Sequence, residues 1–168
     1  MLERLRQNGF VENLSDLRVV AYETYEVKCN WKVFVENYGD GCYHCGFAHT
    51  DLASNIDETN YSTELLSSDL SIQQAPPSDA DIDERFGAKT AIYAQLYPNI
   101  MLNRYGPWLD IDLIIPVDVT TSKICKFYIM FASLALVLSI RSLKLIMNLF
   151  WSCFESCHFM SNSTVSTK

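Results

Sequence analysis

Asn30-Trp31-Lys32-Val33-Phe34-Val35-Glu36-Asn37-Tyr38-Gly39-Asp40-Gly41-Cys42-Tyr43-His44-Cys45-Gly46-Phe47-Ala48-His49 is the stretch on which the reading of this chain turns. Two of the three histidines stand in it, five residues apart, behind Asn37 and Asp40. Trp31, Phe34, Val35 and Tyr38 recur at helical spacing, which predicts a helix from Trp31 to about Tyr43 with one apolar face. Gly39 and Gly41 lower helical propensity and predict a bend just ahead of the histidines. Asp40 falls four residues before His44, on the same helical face, so its carboxylate can approach that imidazole. A carboxylate so placed fixes the tautomer of a ligating histidine and raises its basicity. On one regular helix His44 and His49 would be splayed by about 140°, so a break near Cys45-Gly46 is required for both to reach one ion. Two imidazoles with one carboxylate and open positions suit non-haem Fe(II) oxygen chemistry. Cys45 reads as a small buried residue rather than a thiolate ligand.

Outward from this stretch, Met1 to Leu17 reads as a short amphipathic helix ending near Gly9, then a polar turn. Arg18 to Cys29 alternates apolar and polar side chains and predicts a half-buried strand. Thr50 to Asn60 reads as a polar helix or loop. Tyr61 to Gln74 and Ala91 to Leu102 each read as one strand, with Pro76-Pro77 and the acidic Ser78 to Glu84 segment as a mobile loop between them. Asp110 to Val117 is a further strand. Tyr97, Tyr105 and Trp108 could wall a cation site, since aromatic faces attract quaternary ammonium groups, but core packing is the commoner role of aromatic residues in strands. Arg104 reads as an ion-pair partner or solvated group.

Asn-Trp-Lys, Glu-Asn-Tyr, and Tyr-His with a second His five residues on resemble the catalytic domain of Rieske-type oxygenase large subunits. The run Asn37 to Ser54 is similar to the plant-type choline monooxygenases within that family. Tyr97-Pro98-Asn99-Ile100-Met101-Leu102-Asn103-Arg104-Tyr105-Gly106-Pro107-Trp108 resembles a second block of the same enzymes. The resemblance covers roughly residues 20 to 126. It implies an α+β helix-grip fold, a curved antiparallel sheet around a long helix, over residues 1–126, with 127–168 as a divergent tail.

The resemblance also implies that His44 and His49 hold a mononuclear Fe(II). Asp40 would orient His44 or bridge electrons from a neighbouring subunit, and Asn37 would stand near the open face of the iron. The implied reaction is hydroxylation of choline by O2, with electrons from ferredoxin through a 2Fe–2S cluster. The family's third iron ligand, a downstream carboxylate, has no match here: beyond Lys126 the one acid is Glu155. The Rieske domain that carries the cluster ligands is also absent from these 168 residues. The expectation is therefore a piece of an oxygenase. Its rivals are an oxygenase for another quaternary amine or an aromatic ring, and an inactive product that caps full-length subunits.

A formal charge of −7 argues against nucleic-acid binding, which needs a basic footprint. Six scattered cysteines with no signal peptide ahead of them point to free thiols in a reducing compartment. Plant relatives work in the chloroplast stroma, yet no transit segment is visible at Met1, which leaves the cytoplasm open. Phe127 to Ile140 is almost purely apolar but shorter than the roughly 20 residues of a membrane span. Extending it through Arg141 and Lys144 would bury charge at a cost of a few kcal/mol each. An abrupt change of coding segment explains this tail better than a membrane anchor.

Overall fold

Alternating side chains build most of this molecule. The computed structural model describes residues 2–7, 14–48, 53–78, 90–105 and 108–131. Three short helices, α1 (Leu2–Gln7), α2 (Trp31–Gly39) and α3 (Cys45–Ala48), accompany β1 (Leu17–Val27), β2 (Ser62–Ser67), β3 (Leu70–Ala75), β4 (Ala91–Leu96), β5 (Ile100–Tyr105), β6 (Trp108–Pro116) and β7 (Ser122–Phe131). The strands form one seven-stranded sheet in the order β1-β7-β6-β5-β4-β3-β2, every neighbouring pair antiparallel. This is the α+β arrangement expected, with β1 carried across to the far edge of a β2-to-β7 meander. Register shifts at Val19/Ala21 and Leu65/Ser67 add twist at the two edges, as bulges do.

Several strand limits differ from the sequence reading. Tyr61 to Gln74 is a hairpin rather than one strand, turned at Ser68-Asp69. Ala91 to Leu102 is likewise divided between β4 and β5, and Pro98, which has no N–H for a sheet ladder, sits in the turn. The Tyr97 N–H there donates to Asp69 O at 2.8 Å, tying the two hairpin turns together. β7 is an additional strand, and its last residues carry the beginning of the apolar run into the sheet beside β1 and β6. The acidic segment from Asp79, and the tail beyond Phe131, lie outside the described residues. Among the described residues no helix is long and apolar enough to cross a membrane.

Residues of β6 divide the core by parity, as a pleated strand requires. Leu109 packs with Leu5 of α1 and with Leu70, Ile72, Ala94, Leu102 and Ile129 on one face. Ile114, with Met101 and Ile124, meets Val35 of α2 on the other, where Trp31, Phe34 and Tyr38 also pack. The helix therefore lies across the middle of the sheet. Its start is set by Asn30, whose Oδ1 accepts from the Lys32 N–H at 3.0 Å while its Nδ2 donates to Val119 O at 2.9 Å. One side chain thus caps α2 and holds the β6–β7 turn.

The helix-side face also carries charge. Register places Tyr128, Asp110, Asn103, Tyr93 and Gln73 in one row across five strands, with Lys126 and Asp112 in the next. Lys126 Nζ lies 2.8 Å from Asp110 Oδ2 and 3.3 Å from Asp112 Oδ2, and Asn103 Nδ2 donates to Asp110 Oδ2 at 2.6 Å. Both carboxylates are 3 % exposed. Burial, reinforced by neighbouring Asp110, pushes the Asp112 carboxyl up to about 6 against the pull of Lys126. Burial works against the charge on Lys126, but the two carboxylates outweigh it and hold the ammonium well above its ordinary range.

Three outcomes follow from this packing. Asn30→Ala should cost about 1 kcal/mol, the usual worth of an N-cap, read as a Tm lowered by about 2–4 °C. Lys126→Met leaves two buried carboxylates uncompensated and should cost about 3–5 kcal/mol. Because the Asp112 pKa is raised on folding, the folded state holds the extra proton between about pH 4 and 6, and that contribution fades as pH rises. Asp112→Asn removes it, so urea titrations should find the variant gaining on the wild type as pH climbs through that window.

Candidate metal centre

The C-terminal end of α2 is held against the sheet at several points. Tyr38 Oη donates to Leu102 O at 2.9 Å and lies 3.3 Å from Ala94 O, anchoring the ring between β4 and β5. Burial raises this hydroxyl well above its ordinary pKa, so it stays a neutral donor. Gln73, 2 % exposed, donates through Nε2 to the Tyr38 carbonyl at 2.9 Å and accepts from Tyr61 Oη. A carbonyl that the ending helix leaves unpaired is thereby satisfied. A Cβ on Gly39 would lie 2.7 Å from Gln95 Oε1, the mobile end of a side chain on β4 that could swing aside.

The chain turns at Gly41, where φ is +74°, a conformation that only glycine adopts without penalty. A 3₁₀ turn, Gly41–His44, follows directly and runs into α3. Asp40 and His44 come together across this turn: Asp40 Oδ2 is 3.9 Å from His44 Nδ1, with His44 largely buried and Asp40 exposed. Asp40 and His44 are neighbours as the four-residue spacing expects, but across a turn rather than on one helical face, because the helix stops at Gly39 rather than near Tyr43. The break expected at Cys45-Gly46 is displaced too. The left-handed residue is Gly41, and α3 continues through Gly46.

Asn37 and Asp40, with Trp31 at the start of α2, line one side of an open groove of about 930 Å³ between α2 and the β4–β5 turn, and Gln95, Tyr97 and Pro98 line the other. Of the aromatic residues singled out above, Tyr97 is exposed at this groove while Trp108 is buried against Cys45, Ile56 and Met130. They do not form one wall. The Tyr105 side chain and all of His49 lie outside the described residues. Among the described residues His44 is the one imidazole, and no three ligating side chains come together. The donor chemistry at His44 nonetheless suits a metal: the Asp40 carboxylate lies 3.9 Å from Nδ1, beyond hydrogen-bond distance, and would orient a ligating imidazole on closing to it.

Sequence reasoning passed over Gln73 and the Asp110–Asp112–Lys126 cluster. The i, i+2 spacing of Asp110 and Asp112 inside an apolar strand was the available signal, since it sends both carboxylates to one face. Gln73 carried no signal of its own; its role depends on β3 lying beneath the end of α2.

Residues 14–135 match the family model of the ring hydroxylating alpha subunit, catalytic domain. A chloroplastic choline monooxygenase of Arabidopsis thaliana is 40% identical over 134 residues, which is 78% of this chain and 31% of that relative. The carnitine monooxygenase oxygenase subunit of Escherichia coli K12 is 32% identical over 91 residues, 52% of this chain and 24% of that one. Among solved structures, the quaternary ammonium Rieske monooxygenase CntA with its substrate L-carnitine superimposes with a TM-score of 0.61 at 27% identity, covering 76% of this chain and 32% of that chain. The chain spans about a third of the length of the Arabidopsis choline monooxygenase and of the CntA structure it matches. With that match over most of its residues and the sheet and helix in the same arrangement, the chain belongs to the ring-hydroxylating oxygenase alpha subunits, within their catalytic domain.

Proposed function

We propose that the chain is part of the catalytic domain of a quaternary-ammonium monooxygenase whose substrate is choline; the divergent tail expected from residue 127 starts later, since 127–131 complete β7 and the family match runs to 135. The observation that carries this reading is the approach of Asp40 to His44 at the pinned end of α2, in a chain 40% identical to a choline monooxygenase. His44 and His49 would hold a ferrous ion, which when bound supplies the activation of O2. Asp40 keeps the His44 ring in one tautomer and one orientation, and is the group through which electrons from a 2Fe–2S cluster, reduced by ferredoxin, would pass between subunits of a homo-oligomer. Asn37 lies one turn before Asp40 on the same groove. Two buried carboxylates against one ammonium give the helix-side face an excess of negative charge, the sign that suits a cationic substrate. The chloroplast stroma is the proposed location, after the plant relatives. A second reading, another quaternary amine such as carnitine, is favoured by the carnitine-oxidising relatives.

Anaerobic titration with Fe(II) tests the metal reading. With two of three protein ligands the full chain should bind less than one iron and should turn over no choline with ferredoxin and O2. His44→Ala should abolish the binding and Asp40→Asn should weaken it about 10-fold, the lower range for loss of an orienting partner. Equal iron in the wild type and His44→Ala would overturn the site. One iron per chain with betaine aldehyde formed would overturn the incomplete-ligand account.

A further inference from the structure

The turn that carries His44 also carries two thiols, Cys42 and Cys45, which the metal site does not use. Cys42-Tyr43-His44-Cys45 is a Cys-x-x-Cys sequence, and the 3₁₀ turn brings its ends together. The Cys45 backbone N–H donates to Cys42 O, closing a three-residue step across the pair. Side chains three apart in a 3₁₀ turn are eclipsed, and a rise of about 2.0 Å per residue separates their Cα atoms by about 6 Å. That lies inside the roughly 4.4–6.8 Å window that a disulfide spans. Cys45 is 5 % exposed, packed with Ile56, Ala75 and Trp108, while Cys42 lies at the rim of that cluster, partly exposed. One sulfur is thus open to a small oxidant and the other is sheltered behind it.

We propose that Cys42 and Cys45 are a redox pair, closing to a disulfide around His44 when a hydroperoxide reaches the turn. Hydrogen peroxide oxidises the Cys42 sulfur to a sulfenic acid and is itself reduced, releasing one water. The Cys45 sulfur then attacks the Cys42 sulfur and the S–O bond breaks. The departing hydroxyl leaves as a second water with the Cys45 thiol proton. Two electrons pass from the two thiols to the peroxide, and a dithiol restores the reduced pair by exchange. Closure binds Tyr43 and His44 into a covalent ring, which fixes the backbone that presents the imidazole. The disulfide stands on the thiol geometry alone; its effect on His44 rests on the metal reading above.

Peptide mapping of the full chain, metal-free and treated with a few equivalents of hydrogen peroxide, tests the pairing. After unfolding and alkylation, the Cys42–Cys45 peptide should be lighter by two hydrogens, unalkylated at both sulfurs, and restored by dithiothreitol. In Cys45→Ser, dimedone should trap the sulfenic acid on Cys42. If the wild type yields Cys42 trapped by dimedone or over-oxidised with Cys45 still alkylatable, the pairing is overturned. After the peroxide is removed, Fe(II) affinity should fall at least 10-fold in the oxidised chain, recover on reduction, and stay unchanged in Cys42→Ser and Cys45→Ser. A disulfide with unaltered iron affinity would overturn the coupling to His44. A reduced chain that binds no iron would overturn the metal reading and the coupling with it, while the disulfide would still be judged by the peptide map.

Discussion

The arrangement depends on how the C-terminal end of α2 is fixed to the sheet. A helix that ends leaves carbonyls without intrahelical partners, and here the Tyr38 carbonyl is taken by Gln73 while the Tyr38 hydroxyl reaches the backbone of β5. Gly41 supplies the left-handed residue that redirects the chain. From that fixed point the next four residues have little freedom. Asp40, Cys42, His44 and Cys45 take their positions from one turn, so whatever chemistry they perform is coupled through it.

The sheet beneath this point must be stable enough to hold it, and its helix-side face is not purely apolar. Asp110 and Asp112 are tolerated because Lys126 reaches both from the adjacent strand and Asn103 completes the hydrogen bonding of Asp110. A buried ion cluster of this kind contributes little net stability compared with apolar packing, yet losing one member is costly. Its worth lies in registry: β5, β6 and β7 can satisfy these groups only in the pairing observed, because a slip by one residue would turn all of them to the opposite face.

Much of this was legible in the sequence, unevenly. The start of α2 was marked by its apolar spacing, and its end was signalled by two glycines, although the helix stops at Gly39, earlier than the apolar pattern alone implies. β1 was readable because it is an edge strand with one wetter face, which produces clean alternation. β7 was not, since both its faces are covered: Ile124 and Met130 on one side and Ile129 on the other give an apolar run without a period. The two hairpins were read as single strands because their turns are short and flanked by apolar residues, even though Pro98 marked one of them. At the site, the Asp40–His44 spacing was readable as local geometry, whereas Gln73 and Tyr38 act across contacts distant in sequence.

The central claim is that the His44 ring, oriented by Asp40, is presented to a metal ion. Proton NMR of the full chain loaded anaerobically with Co(II) addresses it most directly, because a ligating imidazole gives strongly shifted ring resonances, its remaining N–H among them. The account predicts a shifted, exchangeable imidazole signal that disappears in His44→Ala and moves in Asp40→Asn. Shifted signals that persist unchanged in His44→Ala would contradict it.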